Sequence, residues 1–470
     1  MKKIYLITLT LLLATVSGFF FAHDLAIVPA LILGGLVFIF FLTIIIPNPK
    51  FGLLALIFAL PFERIPSMAI GGTTVRMSQI ILGGLIITAI ARLIKNRHAK
   101  IKFSPYFYPY ILFIISMLLS FQNMENLGRG VMVFTFILFT SLTIWIVPSL
   151  LKTSADLDKV IRVLFIVTIL ISIFGLYQFA GDMIGLPTSL TGLRELYTKI
   201  VFGYPRVQST ELEPLYLANF LIIPLTLAFT FVVRRANYFS AWMNWGVIGF
   251  AGLAFILTIS RGGYLGLAFS FLLVILASVF VFLRPKLIFG ITTGLIILSV
   301  VAVVALNVSD IGQKTIAITE KHFFEATQTA STQFRFNAYS QALEAFSQHP
   351  ITGVGIGNFG PWVANYPDKL PVSGWAIVNN QTLESLAETG VVGLAALVIF
   401  ILILLIRSVA AFFHATDPKL RAVTIGLFAA MIGVLVQYQF FSTLYVMHIW
   451  VLTALMIAVQ NIILIPDKSE

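Results

Sequence analysis

Residues 331–393 read STQFRFNAYSQALEAFSQHPITGVGIGNFGPWVANYPDKLPVSGWAIVNNQTLESLAETGVVG. This stretch ends the one long polar interruption in a chain that is otherwise almost all apolar. It opens on an amphipathic segment with Arg335, then passes through His349-Pro350 into a turn with Gly353, Gly355 and Gly357. An aromatic loop follows, and then a helix with Glu384 and Glu388 that runs into a new apolar span. The rest of the chain reads as a way of holding this loop, and a few other arginines, at one membrane face.

Composition sets the class. Of 470 residues, 59% are hydrophobic and 10% charged, and the mean hydropathy is +1.00. That excludes a soluble domain and predicts an all-α, polytopic membrane protein. A span needs about 20 mostly apolar residues. Spans are expected near 4–22, 25–47, 51–62, 78–94, 107–122, 130–150, 160–181, 214–233, 241–259, 263–283, 286–307, 389–407, 420–440 and 443–464. The short one at 51–62 leaves twelve to fourteen in all. The first follows Lys2 and Lys3 like a signal peptide, but no small-x-small cleavage site follows 19–22, so it reads as an anchor.

Charge tests this register. With both termini in the cytoplasm and spans alternating, 19 of the 30 basic residues and 5 of the 19 acids fall inside. The inner side then carries +14 and the outer side −3. This is the positive-inside asymmetry, and it accounts for the net charge of +11 without nucleic acid. There is no cysteine, which excludes disulfides and thiol chemistry, and six His show no HxH or HExxH spacing. Neither a metal nor a cofactor is expected.

Two outer loops stand out, 181–213 and 308–388. Loops this long between spans usually carry function or structure of their own. The expected organisation is therefore N-terminal spans and their loop (1–213), central spans (214–307), the large loop (308–388) and C-terminal spans (389–470). Within the large loop, 311–349 reads as helix, with Phe334, Ala338, Leu343 and Phe346 near one face.

Chemistry has few carriers. Arg206, Arg261 and Arg335 lie on the outer side, against the usual bias. Their planar forks suit phosphate oxygens; the alternative is interfacial anchoring or pairing with Glu211 or Glu213. His349 is a general-base candidate or a helix-end histidine facing the dipole. The turn TGVGIGNFG (352–360) lacks Lys-Ser/Thr and a preceding strand, so it reads as a close backbone approach rather than a phosphate loop. Trp362, Tyr366 and Trp375 are either interfacial aromatics or platforms for sugar rings. Glu384 and Glu388, four residues apart, share a helix face and either face a cavity or solvate the end of the next span. Asp24, Glu63 and Glu125 read as simple loop charges.

Four segments in order resemble the O-antigen ligase and polymerase family of the bacterial envelope. They are GYPRVQSTELEPLYLANFL (203–221), LTISRGGYLGL (257–267), QFRFNAYSQALEAFSQHPITGVGIGNF (333–359) and NNQTLESLAETGVVGL (379–394). The resemblance implies a metal-independent, C-type-like glycosyltransferase in the cytoplasmic (inner) membrane. Such an enzyme moves a glycan from an undecaprenyl-diphosphate carrier, at the outer face, to lipid A-core or to another lipid-linked repeat unit. The family's functional arginines fall on Arg261 and Arg335, with Arg206 a weaker match. Asn379 stands where the ligases carry a histidine, which favours polymerase over ligase. The proton acceptor is then to be sought in Glu213, His349 or Glu384. Trp362, Trp375, Asn379, Asn380 and Glu388 are expected to contact sugar or acceptor. Membrane lipids, and a chain-length regulator or flippase, are the further partners expected. The competing readings are a lipid-linked oligosaccharide flippase and a non-catalytic glycan-binding relative. Charges confined to span ends argue against a transporter.

Overall fold

In the computed structural model the described residues are 45–65, 67–70, 73–95, 104–198, 203–236, 241–282, 330–366 and 375–465. Among them, eight helices are long and apolar enough to cross a membrane. Every expected span within these residues is a helix. They are α1 (Pro49–Ala59), α2 (Met77–Lys95), α3 (Phe107–Leu119), α4 (Leu127–Ser141) continuing into α5 (Thr143–Leu150), α6 (Ser154–Met183) and α7 (Pro214–Val233). After these come α8 (Ala241–Leu257), which contains a π-helical turn, and α9 (Arg261–Phe282). The large loop contributes α10 (Ala330–Gln348) and α11 (Phe359–Val363), and the chain closes with α12 (Gln381–His414), α13 (Pro418–Gln437) and α14 (Met447–Leu464). The expected spans 4–22, 286–307 and most of 25–47 lie outside the described residues, as does 311–329 of the loop.

The all-helical expectation holds apart from one small antiparallel hairpin. Its strands β1 (Ser67–Ile70) and β2 (Thr73–Arg76) pair Ser67 with Arg76. The apolar windows of α7 and α14 are 83% and 78% buried, against 33% for α2 and α9, so α7 and α14 form the centre and α2 and α9 the rim. Small residues set the closest helix approach. A Cβ on Gly266 of α9 would lie 2.4 Å from the Gly433 carbonyl oxygen of α13. Ser270 of α9 donates to the Ala429 carbonyl at 2.9 Å. Such small-residue contacts let apolar helices pack closely where lipid supplies no hydrophobic drive.

The loop end of the bundle has its own core, built from Ala342, Ala345, Val354, Phe359, Trp362 and Val363 with Ala376, Val378 and Ala387. Helix α10 docks through this core, and its buried face differs from the expected one. Ala338, Ala342 and Ala345 turn inward, whereas Phe334 and Leu343 are 44% and 50% exposed. Alanines allow α10 to approach α12 closely, and the larger side chains would hold the two helices apart.

Helix α12 is kinked at Gly390 (φ 65°, ψ −168°). The kink frees carbonyls that a straight helix would use internally. Ala387 and Glu388 accept instead from Val354 and Gly355 of the glycine turn, both at 2.9 Å, and the Pro350 carbonyl accepts from Val391 at 2.9 Å. The turn is thus a backbone splice onto a broken helix, as its lack of phosphate-loop residues predicts. A Cβ on Gly353 (φ 72°) would meet the Glu388 backbone at 2.3 Å, and one on Gly390 would meet the Ile351 carbonyl at 2.3 Å.

Candidate active site

A cavity of about 130 Å³ opens where the loop core meets the bundle. Its polar lining includes Arg129, Glu213, Asn379, Glu384, Glu388 and Ser442. Four of these, Glu213, Asn379, Glu384 and Glu388, were expected at a site from the sequence.

Glu388 is buried, and both carboxylate oxygens are engaged. One accepts from the Gly357 N–H at 2.8 Å and the other from the Phe359 N–H at 3.1 Å. Glu384, one turn earlier and half-buried, uses a single oxygen, Oε2. It accepts from the Val378 N–H at 3.2 Å and the Ser442 hydroxyl at 2.6 Å. Among the described residues its other oxygen accepts no hydrogen bond, and Glu384 lines the cavity. Asn379 takes a left-handed backbone (φ 58°), which Asn tolerates better than most residues. Asn380 caps α12 by accepting from the Leu383 N–H at 3.0 Å, so its side chain serves the helix start.

Arg129, at the start of α4, was not foreseen. Its Nε donates to the Gly357 carbonyl at 2.6 Å, and its guanidinium stacks 5.3 Å from the Trp375 ring centroid. The link is reinforced by neighbouring amides. Asn126 caps α4 by accepting from the Arg129 N–H at 2.9 Å. Asn358 accepts from the Asn126 N–H at 2.7 Å, and the Asn123 side chain donates to the Gly353 carbonyl at 2.8 Å. Residues 120–129 are therefore latched to the glycine turn. Trp375 stays 46% exposed beside Arg129, a ring that a sugar could reach. Trp362 does not: it is 4% exposed, donates to Gln348 at 2.9 Å and stacks on Phe359. Its role is packing.

The second unforeseen element joins α13 to α14. Residues 441–445 line the cavity, and the chain just before them knots three elements together. The Gln439 carbonyl accepts from Tyr339 of α10 at 3.3 Å and from Asn380 at 3.2 Å. The Tyr438 carbonyl accepts from the Gln381 N–H at 2.8 Å.

None of the three sequence-predicted arginines lines the cavity, but Arg206 and Arg335 lie near Glu213, which does. Segment 203–213 lies along the end of α8, with the Arg206 Nε donating to the Thr258 carbonyl at 3.0 Å. Gln178 fixes the same segment by bonding Ser209 N–H and carbonyl at 2.8 and 3.2 Å. Burial lowers the pKa of the Arg206 guanidinium; the neighbouring Tyr197, Glu213 and Tyr264 oppose that, and the nearby Arg335 charge adds to it. Arg206, Arg335 and Glu213 therefore share one electrostatic neighbourhood. Glu213 sits at the N-terminal boundary of α7, makes no cap with its side chain and lines the cavity. It joins the arginine flank to the carboxylate pair. Arg261 begins α9 and is exposed. Gly262 behind it packs against Phe440, one residue before the cavity wall. His349 follows the last residue of α10, and its carbonyl accepts from Gly353 at 2.8 Å; its side chain is not part of the cavity lining.

Glu63, read from the sequence as a simple loop charge, is instead buried. It is 2% exposed and pairs with Arg76 at 2.7 Å. Residues 61–65 fold under the turn at 208–211, where Thr210 donates to the Pro61 carbonyl at 2.6 Å. Glu211 is fully buried there, and neither carboxylate oxygen has a hydrogen-bond partner among the described residues.

Residues 246–398 match the model of the family described as O-antigen ligase. The motif resemblance is thereby shown over that segment. The match supports an enzyme of the O-antigen ligase and polymerase type, acting in envelope polysaccharide synthesis on lipid-linked glycan and acceptor. None of the curated proteins matches the chain. The matched segment runs from α8 through α9 and the large loop to α12 and so contains Arg261, Arg335, Asn379, Glu384 and Glu388. Arg129, Arg206, Glu213 and residues 441–445 come from outside it and complete the cavity and its arginine flank.

Proposed function

We propose that this chain transfers a glycan from a polyprenyl-diphosphate carrier to an acceptor hydroxyl, at the outer face of the cytoplasmic membrane. The observation that carries this reading is the position of Glu213. It lies between an arginine flank suited to a diphosphate and a cavity holding a carboxylate with one free oxygen. In this reading Arg206 and Arg335 hold the diphosphate, with Arg261 beside the entrance. Their fixed charges stabilise the negative charge that develops as the carrier leaves.

The acceptor hydroxyl oxygen attacks the anomeric carbon. The bond from that carbon to the diphosphate oxygen breaks, and its electron pair leaves with the lipid diphosphate. The hydroxyl proton passes to the free oxygen of Glu384, across the cavity from the arginines. Glu213 orients Arg206. Glu388, with both oxygens committed to backbone N–H groups, shapes the cavity wall. Asn379 cannot take a proton at neutral pH, which favours a polymerase, whose acceptor is another lipid-linked repeat unit.

The test is glycan transfer in proteoliposomes containing a lipid-linked repeat unit, with and without a lipid A-core acceptor. A ladder without the second acceptor supports polymerase. Product only with that acceptor supports ligase. No product in either case, with the carrier lipid still bound, overturns the enzymatic reading in favour of binding or transport.

A further inference from the structure

A second cavity, of about 340 Å³, lies between α12, α13 and α14. Its walls are aliphatic and aromatic, with Phe400, Ile401, Leu404, Met431, Leu435 and Trp450 among them. Within the slot, among the described residues, the polar side-chain groups are already engaged: the Thr453 hydroxyl donates to the Ile449 carbonyl at 3.0 Å and the Trp450 indole N–H donates to the Leu444 carbonyl. Its other polar lining residues, Gln381, Thr382, Tyr438 and Gln439, cluster at its mouth. Along α12 the slot runs from Leu394 to Leu405, about 16 Å at the helical rise of 1.5 Å per residue. That is deep into an apolar span. Leu402 and Val398 on its rim are 49% and 43% exposed, so the slot opens sideways toward lipid.

Two features tie the slot to the active site. Gln381 and Leu444 line both cavities. Gln439 at the mouth accepts from Tyr339 of α10, one helical turn after Arg335. We infer that this slot holds the isoprenoid chain of the donor. The inference rests on the reading of Arg335 and Arg206 as diphosphate holders. In a polyprenyl diphosphate the single chain starts at the phosphate itself, so it must enter the membrane beside those arginines, where the mouth lies. A lipid A-core acceptor is anchored by several acyl chains, which a single narrow slot does not fit; a lipid-linked repeat unit acting as acceptor also carries one prenyl chain, and the slot is assigned to the chain whose diphosphate the arginines hold.

The experiment uses the full-length protein in detergent micelles and a polyprenyl diphosphate carrying a diazirine in its chain. Crosslinks are mapped by mass spectrometry, beside a diazirine phospholipid and a diazirine-acylated lipid A. The expected result is labelling of α12, α13 and α14 slot residues by the prenyl probe alone. Ile401→Trp, which fills the slot, should cut that labelling about tenfold and raise KM for a long-chain donor more than for a short-chain donor. Equal labelling by the phospholipid, preferential labelling by lipid A, or prenyl crosslinks elsewhere would each overturn the inference. Wild-type crosslinking decides the matter even where the tryptophan variant misfolds. Slot labelling without any glycan transfer would remove the proposed enzymatic function and leave the lipid slot standing.

Discussion

The Glu388 carboxylate accepts the Gly357 backbone N–H at 2.8 Å, across the junction between the kinked helix and the glycine turn. Its other oxygen accepts from Phe359 at 3.1 Å. One side chain thus satisfies two buried donors that no regular structure serves. Glu388→Ala leaves both unpaired, and an orphaned buried donor costs about 1–3 kcal/mol. The variant should show a clear fall in unfolding midpoint in detergent, with Glu388→Gln in between because an amide has one acceptor oxygen. A midpoint for Glu388→Ala equal to that of the parent would sink this role.

The same splice makes two glycines irreplaceable. Gly353 and Gly390 both have positive φ, and a Cβ at either would lie 2.3 Å from backbone. Gly353→Ala and Gly390→Ala should each disrupt the loop core, seen as faster proteolysis near residues 350–360 and lost transfer activity. Gly83 is the control. A Cβ there meets nothing within 4 Å, and it lies inside α2, so Gly83→Ala should be neutral or stabilising by up to about 1 kcal/mol. Similar behaviour of all three variants would contradict the splice.

The spans were legible because an apolar stretch of about 20 residues has few other fates. Every expected span within the described residues is a helix. The glycine turn was legible in kind, through the absence of phosphate-loop residues. Its docking partner was not, because a kink at Gly390 inside an apolar helix leaves no local signal beyond the glycine itself. Glu384 and Glu388 could be placed on one face from their spacing, but their opposite duties follow from which backbone groups face them. Arg129 and residues 441–445 escaped notice for a related reason. They reach the cavity through contacts more than 50 residues apart in sequence, such as Arg129 to Gly357 and Ser442 to Glu384. The polar run in YQFFSTLY (438–445) was the available clue, since it interrupts two apolar spans where a minimal turn would suffice.

Arg129 is expected to matter as much as the arginines that the motifs name. It donates in a fixed direction to the Gly357 carbonyl, stacks on Trp375 and faces the two glutamates. A lysine keeps the charge but loses the fork and the stacking. Arg129→Lys should therefore lower kcat/KM by about tenfold or more, on the order of 1.4 kcal/mol, with little change in unfolding midpoint. Full activity in Arg129→Lys would show that charge alone is needed there.

The buried Glu211 gives a pH dependence with a definite sign. Burial above all raises its pKa, the nearby Glu63 raises it further, and Arg76 opposes them. Glu63 is likewise raised by burial and lowered by its Arg76 partner. A carboxyl whose folded pKa exceeds its unfolded value contributes stability below the unfolded pKa, about 4.3. That contribution is lost as pH rises through the folded pKa. Glu211→Gln removes the titration while keeping the shape. The variant should match the parent at pH 4 and exceed it in unfolding midpoint at pH 8. Parallel pH curves for the two proteins would show that Glu211 does not titrate in the native state.

The division of labour between Glu384 and Glu213 is the sharpest test of the chemistry. Glu384 has one oxygen held by Val378 and Ser442 and one with no hydrogen bond among the described residues, and it lines the cavity. Glu213 faces Tyr197 and Arg206 on the arginine flank. If Glu384 takes the acceptor proton, Glu384→Gln should lower kcat by about 10²- to 10⁴-fold while leaving donor KM near its original value. The amide preserves the hydrogen bonds that Glu384 accepts, so the fold should persist. Glu213→Gln loses the charge beside Arg206 and should act mainly on donor KM, with a smaller change in kcat. Ser442→Ala removes the hydroxyl that steadies Glu384 and should show a partial form of the Glu384→Gln defect. Steady-state kinetics over pH 5–9 separate these cases, because only loss of the base removes the acid limb of the kcat profile. A Glu384→Gln enzyme with normal kcat and an intact acid limb would move the proton to another group, and Glu213 would then be the first to examine.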